Sequence, residues 1–496
     1  MTERPNVLLI TTDQQRYDTL ACHGNTQVAT PHFDALAARG TDFRHGYIQN
    51  PVCVPSRACI QTGRYVFQHG VEYMENVIGN TPGLPPWEPT LAERLHDVGY
   101  RTAGFGKIHM MPPRGYDELQ LTMGKGARWR DAEGSPLGPA QLGPNYAAWL
   151  EAKRPGAYES IYAQRRTPEF ATERGALPNV LAADECVDHW IADNTCEFLA
   201  RDHTDPFFLW TGFCGPHGPF DPPEPYASRY DPDTLTLSDL AWASQSGLET
   251  EIAHQFPGAQ GEALLRRMTA LYWGMVSYLD DQIGRISEVL TRQGLWENTI
   301  VIFTADHGEM LGDFGRTGKA SFLESVIRVP YLMSVPTGRP GQRIDDLVEQ
   351  IDLAPTVLDL VGLPHPPALP GRSLRLLLEG SPVPEDWHRP VLCEFTSNDR
   401  QHRSKCLRTT DRKYVFHDAG RAPELYDLAA DPGELHNVAA DPAYAAELAE
   451  LQTVLLDRLT AGVPNDWTTG TAARAVEELD DFGRPQKLPD KLISSG

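Results

Sequence analysis

The chain has 496 residues, which is enough for two domains or for one large domain with an appendage. Hydrophobic residues make up 41% of it and charged residues 22%, proportions that are typical of a globular protein. The formal net charge is −23 and no run of Lys or Arg occurs, which disfavours a nucleic acid or an anionic membrane as partner. A protein this acidic needs a local cluster of positive charge if it handles an anion.

The first apolar run, NVLLITT from Asn6, predicts a buried strand that ends at Asp13. This run is too short for a signal peptide or a membrane span, and no other stretch approaches a transmembrane helix. We therefore expect a cytoplasmic protein with no membrane partner. The eight cysteines are scattered without C-x-x-C spacing, so neither a disulfide framework nor a zinc site is expected.

Strand-like and helix-like patterns alternate downstream of this strand. The apolar spacing of HFDALAARG and TLAERLHDVG predicts two helices, which Gly40 and Gly99 terminate. YRTAGFGK, DPFFLWTGF and TIVIFTADHG predict further strands, and LYWGMVSYLDDQIGRISEVLTRQG predicts a long amphipathic helix. This alternation predicts an α/β fold with its ligand site outside the carboxyl ends of the sheet strands.

Two regions depart from the alternating pattern. The segment from about 112 to 180 is rich in Gly, Pro, Arg and aromatic residues and has weak periodicity, so we interpret it as inserted loops. After about residue 383, RPVLCEF, KYVFHD and APELYDL predict short strands, and AYAAELAELQTVLLDRLTAG predicts a helix. We therefore divide the chain into a large domain, 1–382, and a C-terminal subdomain, 383–496.

Polar side chains of a metal-binding kind follow two of the predicted strands. Asp13 and Gln14 follow the first strand, and Asp306 and His307 follow a late one. Either aspartate alone is more simply read as a cap of a turn or helix. A parallel sheet brings the two strand ends together, and two carboxylates with a neutral oxygen and a nitrogen donor suit a divalent cation.

A set of cationic and imidazole side chains could supply the local positive charge. Lys107 and His109 lie two residues apart after a strand, so they share a face if the segment is extended. Lys319 lies in a glycine-rich loop after Asp306, and His217 lies between glycines and prolines. Singly, each lysine reads as a solvated surface residue and His217 as a packed loop histidine, but together they predict an anion site.

Cys53 lies in NPVCVPSRACIQTGRYV, a short apolar and proline-containing segment. A buried structural thiol is the commonest interpretation of a lone cysteine. If a helix begins near Pro55, Cys53 instead lies at the helix N-terminus, where the backbone amides and dipole favour an anion, with Arg57 on the first turn. This arrangement predicts an activated nucleophile near a metal.

The segment CVPSRACIQTGR resembles the C-x-P-S-R-x(4)-T-G-R signature of the sulfatases, a family of the alkaline-phosphatase-like superfamily. The matching positions are Cys53, Pro55, Ser56, Arg57, Thr62, Gly63 and Arg64. Further similar blocks are NVLLITTDQQRYDTL, TPHFDALAARGTDF, GYRTAGFGKIH, GYDE, TADHGEMLGDFG, RVPYLM, IDLAPTVLDLVGLP, LPGRSL and ELYDLAADPGELHNVA. They leave mainly 112–205 and 222–270 uncovered.

The resemblance implies a large mixed, mostly parallel sheet flanked by helices and a smaller C-terminal antiparallel sheet. It also implies a sulfatase that hydrolyses a sulfate monoester, in which a separate maturation enzyme oxidises Cys53 to formylglycine. The reaction expected of such an enzyme proceeds through a covalent sulfo-enzyme intermediate. The expected substrate is a sulfated small molecule or carbohydrate, and a homo-oligomer is compatible with the sequence.

The resemblance further implies a single divalent metal ion. Its ligands would be Asp13, Gln14, Asp306, His307 and the modified Cys53. Gln14 stands where many sulfatases have a second aspartate, and His307 where many have asparagine. Calcium is the usual sulfatase ion, whereas a nitrogen donor makes manganese plausible. Asp313 replaces a histidine common in the sulfatase pattern, with no evident consequence.

The resemblance to sulfatases also implies catalytic roles for the other site residues. Arg57, Lys107 and Lys319 would hold the sulfate oxygens with the metal, and Asp306 is the candidate base for the attacking hydroxyl. His217, with Lys319, would protonate or hydrogen-bond the leaving alcohol. His109 is the expected base when the intermediate collapses.

Three alternatives remain beside the sulfatase interpretation. A phosphonate monoester or phosphodiester hydrolase on the same scaffold is the main one, although Lys107 and His109 keep the sulfatase GK-x-H pattern. A silent anion-binding relative is disfavoured because no expected catalytic position is missing, and an unrelated α/β protein would need every block to match by accident. Substrate specificity is left open: Trp129, Trp149, Arg165 and Arg166 could recognise a sugar or a second anion, or could pack between subunits.

Overall fold

The computed structural model describes residues 4–73, 83–109, 113–122, 124–125, 144–247, 254–367, 369–397, 401–418 and 420–461. Trp129 lies outside these ranges. Two β-sheets form the framework. Their strands are β1 (Asn6–Asp13), β2 (Thr41–Tyr47), β3 (Arg101–Gly106), β4 (Glu118–Leu121), β5 (Phe207–Pro216), β6 (Thr299–Ala305), β7 (Tyr331–Ser334), β8 (Gln342–Glu349), β9 (Val391–Thr396), β10 (Arg403–Arg408), β11 (Arg412–His417) and β12 (Glu424–Asp427).

Helices cover both faces of the larger sheet. They are α1 (Pro31–Arg39), α2 (Cys53–Thr62), α3 (Val66–His69), α4 (Leu91–His96), α5 (Pro144–Lys153), α6 (Ala157–Arg165), α7 (Pro168–Thr172), α8 (Val187–Leu199), α9 (Gly258–Arg292), α10 (Glu324–Ile327), α11 (Leu353–Leu360), α12 (Arg375–Leu378) and α13 (Ala445–Ala461). None of the helices in the described ranges combines the length and apolar character needed to cross a bilayer.

The larger sheet has the strand order β4-β3-β5-β1-β6-β7-β2-β8. Strand β1 is parallel to both β5 and β6, and β3 is parallel to β4 and β5, whereas β7 is antiparallel to both of its neighbours. The sheet is therefore mixed and mostly parallel, as predicted. The carboxyl ends of β3, β5, β1 and β6 lie at one edge, so residues that follow these strands can meet there.

Successive residues of β1 point to opposite faces of the sheet, and both faces are buried. Leu8 and Ile10 join a core cluster with residues of α8 and α9. Val7 and Leu9 join a second cluster with residues of α2 and α11. Burial on both sides explains the uninterrupted apolar run of NVLLITT, and it confirms the predicted α/β layering.

The smaller sheet is antiparallel with the order β12-β11-β10-β9, as predicted for the C-terminal region. Leu451 and Leu455 of α13 pack in one cluster with Leu407 and Leu425 of this sheet, together with Cys59 from α2. Strand β10 was not predicted, because RSKCLR has too few apolar residues to be recognised. The boundary near residue 383 stays a prediction.

The described part of 112–180 is not composed of loops alone, because it contains strand β4 and helices α5, α6 and α7. That the segment is an insertion stays a prediction. Helix α5 buries two large side chains, α6 buries three and α7 buries none, so these helices give little periodic signal. Tyr158, Ile161 and Tyr162 of α6 are buried. A cap signal was present, because the Thr167 side chain accepts from the Phe170 N–H ahead of Pro168.

Candidate functional site

Four neighbouring strands of the larger sheet deliver polar residues to one edge. Asp13 ends β1 and pairs in register with Pro216, one residue before His217. Asp306 directly follows β6, and its N–H donates to the carbonyl oxygen of Thr12. Lys107 directly follows β3, where its N–H donates to Gly212 of β5. The predicted convergence of strand ends therefore occurs.

Asp13, Asp306 and His307 form a buried group whose ligand atoms all lie within 4.8 Å of one another. His307 Nε2 is 3.9 Å from Asp13 Oδ1 and 3.6 Å from Asp306 Oδ1. His307 Nδ1 donates to the Gly308 carbonyl, 2.9 Å away, which leaves Nε2 facing the two carboxylates. Asp13 Oδ1 is buried without a hydrogen-bond partner among the described residues. This donor set fits a divalent cation.

Gln14 adds an amide to this group. Its backbone has φ of 67°, in the left-handed region that non-glycine residues rarely adopt. Two contacts hold it there: its N–H donates to Asp306 Oδ1 at 3.0 Å, and the Tyr272 hydroxyl donates to its carbonyl at 2.7 Å. The side-chain Nε2 donates to Glu309, while Oε1 is buried with no hydrogen-bond partner in the described part of the chain.

Helix α2 carries the cysteine motif, and every one of its residues is buried. Cys53 is its first residue and follows extended Val52, so the prediction of a helix N-terminus is confirmed. Burial on its own raises the pKa of the Cys53 thiol, but Lys319, Lys107 and a hydrogen bond with His307 outweigh it and lower the pKa to about 7. The surroundings of Cys53 therefore favour a negative charge at its side chain.

Arg57 is buried in contact with both carboxylates of the site. Its Nε is 2.8 Å from Asp306 Oδ2 and its Nη2 is 3.2 Å from Asp13 Oδ2. Its Nη1 donates to the Lys107 carbonyl, and the side chain has no exposed surface. A role for Arg57 in holding sulfate oxygens stays a prediction. These contacts suit a group that spaces the two carboxylates and neutralises their charge.

The other cationic and imidazole residues surround the same group. Lys107 Nζ lies 2.6 Å from Asp13 Oδ2, and Lys319 Nζ lies 2.9 Å from His307 Nε2. His217 Nε2 lies 3.9 Å from Asp13 Oδ1. Burial, followed by the charges of Lys107 and Arg57, holds the pKa of His109 well below its usual range, so its imidazole is neutral. The structure thus brings the ten predicted site residues together.

Sequence reasoning missed Arg16 and Glu309 and left the consequence of Asp313 unexplained. Arg16 Nη1 lies 2.9 Å from Asp313 Oδ2, and both side chains are buried. The same nitrogen donates to the carbonyls of Glu309 and Met310. Asp313 therefore replaces the usual histidine with an ion-pair partner for Arg16, which lies two residues after Gln14. Arg16 and Glu309 each lie two residues after a predicted metal ligand in the sequence, and this spacing was the signal that could have identified them.

A second ion-pair cluster fixes the loop that carries His217. Asp221 lies 2.9 Å from Lys125 Nζ through Oδ1 and 3.1 Å from Arg165 Nη2 through Oδ2. Lys125 Nζ also donates to the Pro219 carbonyl, within the same loop. Arg166 instead pairs with Glu159 at 2.5 Å on the surface.

Trp149 stacks on Tyr146, with 6.0 Å between ring centroids. Tyr146 is buried in the core cluster that includes α8. A role for Trp149, Arg165 or Arg166 in substrate recognition stays a prediction.

Comparison with family models gives two matches. The model described as sulfatase matches residues 5–363, which is more than half of the chain. The model described as N-sulphoglucosamine sulphohydrolase, C-terminal, matches residues 312–461.

Similar proteins extend over nearly the full chain. The arylsulfatase of Clostridium perfringens is 29% identical, covering 92% of this chain and 94% of its own. YidJ of Escherichia coli, described as an uncharacterized sulfatase, is 30% identical, covering 92% and 87%. The crystal structure of a phosphonate monoester hydrolase of Agrobacterium radiobacter superposes with a TM-score of 0.77 at 28% identity, covering 93% and 96%.

Proposed function

Because the chain belongs to the sulfatase family and is a sulfuric ester hydrolase, we propose that it cleaves a sulfate monoester through a formylglycine made from Cys53. The products are an alcohol and inorganic sulfate, and the route includes a covalent sulfo-enzyme intermediate. One observation carries the proposal: Cys53 begins α2, inside the matched signature, with Lys107 and Lys319 lowering the pKa of its thiol. An ordinary thiol or serine could not expel sulfate in this way, so we assign Cys53 as a precursor.

A hydrated formylglycine at position 53 would supply two hydroxyls: one would displace the alcohol from sulfur, and loss of the proton from the other would expel sulfate and restore the aldehyde. A bound divalent ion would supply positive charge to offset the negative charge that develops. The residues assigned to hold that ion are Asp13, Gln14, Asp306, His307 and the modified position 53. The resemblance to sulfatases implies Ca²⁺. The imidazole nitrogen of His307 makes the same donor set compatible with Mn²⁺.

The lysines are the residues assigned to the sulfate group itself. Lys107 and Lys319 are the charges that act most strongly on the Cys53 thiol, so they lie where the sulfate would be transferred. Their positive charge offsets the charge that develops on the sulfate oxygens. Arg57 takes a different role in this proposal: it positions Asp13 and Asp306, since its donors already reach both carboxylates and a backbone carbonyl.

Two histidines are assigned to proton transfer. His217 Nδ1 donates to the Gly218 carbonyl at 2.6 Å, which leaves Nε2 facing Asp13 and the site. This nitrogen is assigned to protonate the leaving alcohol. His109 is neutral because its pKa is lowered, so it can accept a proton when the second hydroxyl releases sulfate. Asp306 stays the candidate base for the first hydroxyl.

A phosphonate monoester or phosphodiester hydrolase is the second candidate. The similarity to the Agrobacterium radiobacter enzyme at 28% identity favours it, as do Gln14 and His307 in the metal group. Lys107 and His109 favour the sulfatase, since they follow the sulfatase GK-x-H pattern. The natural substrate is proposed to be a sulfated small molecule or carbohydrate, because the segment 112–180 that would shape the pocket carries aromatic and arginine side chains.

Mass spectrometry of the peptide that contains Cys53 tests the proposal, after co-expression with a formylglycine-generating enzyme. The expected result is the mass of an aldehyde, together with turnover of an aryl sulfate that Cys53→Ala abolishes. Full sulfatase activity in Cys53→Ala would overturn the mechanism. A panel of aryl, alkyl and carbohydrate sulfates with an aryl phosphonate then ranks the two candidate activities, and a larger kcat/KM for the phosphonate would favour the second.

A further inference from the structure

We propose that Glu309 is a positioning residue that turns the side-chain oxygen of Gln14, Oε1, toward the metal group. Glu309 also connects the loop that carries Lys319 to the metal group. This inference rests on the proposed function, because it assigns a purpose to a residue beside the proposed metal ligands. Glu309 has no exposed surface and lies two residues after His307. It is absent from the predicted site residues, and its role follows from its contacts alone.

The Gln14 amide has two ends of opposite character. Its Nε2 donates to Glu309 Oε2, and its Oε1 is buried without a hydrogen-bond partner among the described residues. A buried amide oxygen left unpaired costs free energy unless another group binds it. Because the Gln14 N–H binds Asp306 Oδ1, the residue already borders the metal group. The unpaired oxygen is therefore the atom available to a cation.

Glu309 decides which end of the amide is available. Its Oε1 accepts from the N–H of Leu311 at 3.1 Å and from the N–H of Gly318, and its Oε2 accepts from Gln14. All three partners donate N–H groups, so both side-chain oxygens of Glu309 act as acceptors in this arrangement. If the Gln14 amide flipped, its oxygen would face a carboxylate oxygen. Glu309 thus excludes the orientation that would turn an NH₂ group toward the metal.

The same carboxylate links the metal group to the loop that carries a cationic residue. Gly318, which donates to Glu309 Oε1, directly precedes Lys319. The Gly318 carbonyl in turn accepts from the Met310 N–H at 2.9 Å, so the loop closes on itself beside Glu309. Lys319 Nζ lies 2.9 Å from His307 Nε2. One buried side chain therefore sets the position of both Gln14 and the segment leading to Lys319.

A charge-swap cycle tests the inference through Mn²⁺ affinity, without requiring turnover. Chelator-stripped wild type, Glu309→Gln, Gln14→Glu and the double variant are titrated with Mn²⁺, whose free ion is followed by electron paramagnetic resonance. Glu309→Gln can give its own NH₂ to position 14 and lets the Gln14 amide flip, so we expect an affinity loss of about 10- to 100-fold. Gln14→Glu alone sets two carboxylates against each other and should also bind Mn²⁺ more weakly than wild type.

The double variant exchanges the donor and the acceptor, so the carboxylate of position 14 can bind both the amide of position 309 and the metal. We expect it to recover most of the affinity lost in Glu309→Gln. A double variant that folds but binds Mn²⁺ no better than Glu309→Gln would overturn the inference, as would an unchanged affinity in Glu309→Gln. If Glu309→Gln does not fold, strong binding by the double variant supports the inference and weak binding refutes it.

A matched control separates positioning from the loss of any buried carboxylate. Glu349 is also fully buried, and it accepts hydrogen bonds from Tyr65 and from the Leu392 N–H, at the contact with the smaller sheet. Glu349→Gln should lower stability while the Mn²⁺ affinity stays unchanged. If the wild-type protein binds Mn²⁺ tightly but hydrolyses no sulfate ester, the proposed function is wrong. The role of Glu309 is then still decided by the Mn²⁺ affinities of the variants. Wild type that binds neither Mn²⁺ nor Ca²⁺ would overturn both.

Discussion

Arg16 and Asp313 form a buried ion pair, with 2.9 Å between Nη1 and Oδ2, at the side of the proposed metal group. The guanidinium also donates to the carbonyls of Glu309 and Met310, so one side chain holds the start of the loop that leads to Lys319. Burial alone would lower the pKa of Arg16, but Asp18 and Asp313 outweigh it and raise the pKa well above its usual range.

Replacing Asp313 by the histidine common in sulfatases should therefore destabilise this protein. Asp313→His leaves the buried Arg16 charge with the backbone carbonyls and the half-exposed Asp18 as its remaining partners. We expect a loss of about 3 kcal/mol in the free energy of unfolding, measured by urea titration. Asp18→Asn is the control, since its side chain is 57% exposed and should cost less than about 1 kcal/mol. Equal stability of Asp313→His and wild type would contradict the assignment.

The ion pairs of Asp221 should influence the chemistry of His217. Asp221→Asn weakens the attachment of the loop to Lys125 and Arg165, so His217 should be less well placed to protonate the leaving alcohol. We expect kcat for an alkyl sulfate to fall on the order of 10-fold, less than the full effect of losing a general acid. Hydrolysis of nitrophenyl sulfate, whose leaving group needs little protonation, should change much less.

Arg166→Ala is the matched control for Asp221→Asn, because it breaks a surface ion pair with Glu159. Both substrates should be turned over by Arg166→Ala as by wild type. An equal loss on alkyl and nitrophenyl sulfate in Asp221→Asn would show that the variant acts on something other than leaving-group protonation.

The imidazole of His307 should set the metal preference. His307→Asn replaces a nitrogen donor with an amide oxygen, and calcium takes oxygen ligands, whereas manganese also accepts imidazole. We expect the ratio of Ca²⁺ to Mn²⁺ affinity to rise on the order of 10-fold, measured by calorimetric titration of metal-free protein. Asp306→Ala should bind neither ion. A ratio unchanged by His307→Asn would exclude His307 from the ligands.

Asp280 should make folding stability depend on pH. It accepts hydrogen bonds from the N–H groups of His32 and Phe33 at the start of α1. Burial raises the pKa of Asp280 to about 6, although these hydrogen bonds lower it. The native state therefore binds the proton more tightly than the unfolded state. This contribution to stability is complete below about pH 4, the ordinary range of an aspartate. It is lost as the pH rises through about 6.

Asp280→Asn removes this titration while its side-chain oxygen can still accept from the helix. The free energy of unfolding of wild type relative to the variant should fall between pH 4 and pH 7, as followed by urea titration at several pH values. Asp202→Asn, at an exposed position, should run parallel to wild type. A constant difference between wild type and Asp280→Asn across this range would count against the assigned proton.

The sequence was most informative where one strong local pattern determines the structure. NVLLITT and TIVIFTADHG are buried on both faces, so their apolar runs identified two central strands and the residues at their ends. Strands β2, β4, β7 and β8 were missed, because they lie toward the sheet edges and carry more polar or fewer apolar residues. Helices α5, α6 and α7 bury few or no large side chains, so their apolar residues gave no clear periodic signal.

In the site, too, some features could be predicted from the sequence and others could not. Residue types and strand ends predicted which side chains meet, since parallel strands place their carboxyl ends at one edge. They could not predict what Arg57 contacts, because its direction depends on how α2 packs against the sheet. Glu309 and Arg16 were missed for a related reason: each acts through hydrogen bonds to residues almost three hundred positions away.

All residues of α2 are buried, and Cys53 exposes only 2% of its surface. A maturation enzyme therefore cannot bind residues 53–57 in the folded protein. We expect the proposed conversion of Cys53 to take place before this segment folds. Folding and oxidation then compete in time. Adding a maturation enzyme to purified, folded protein should leave Cys53 a thiol, whereas adding it during synthesis should produce the aldehyde. The fraction of active molecules would then be set during synthesis by the rate of Cys53 oxidation relative to the rate of folding, and it would not change afterwards.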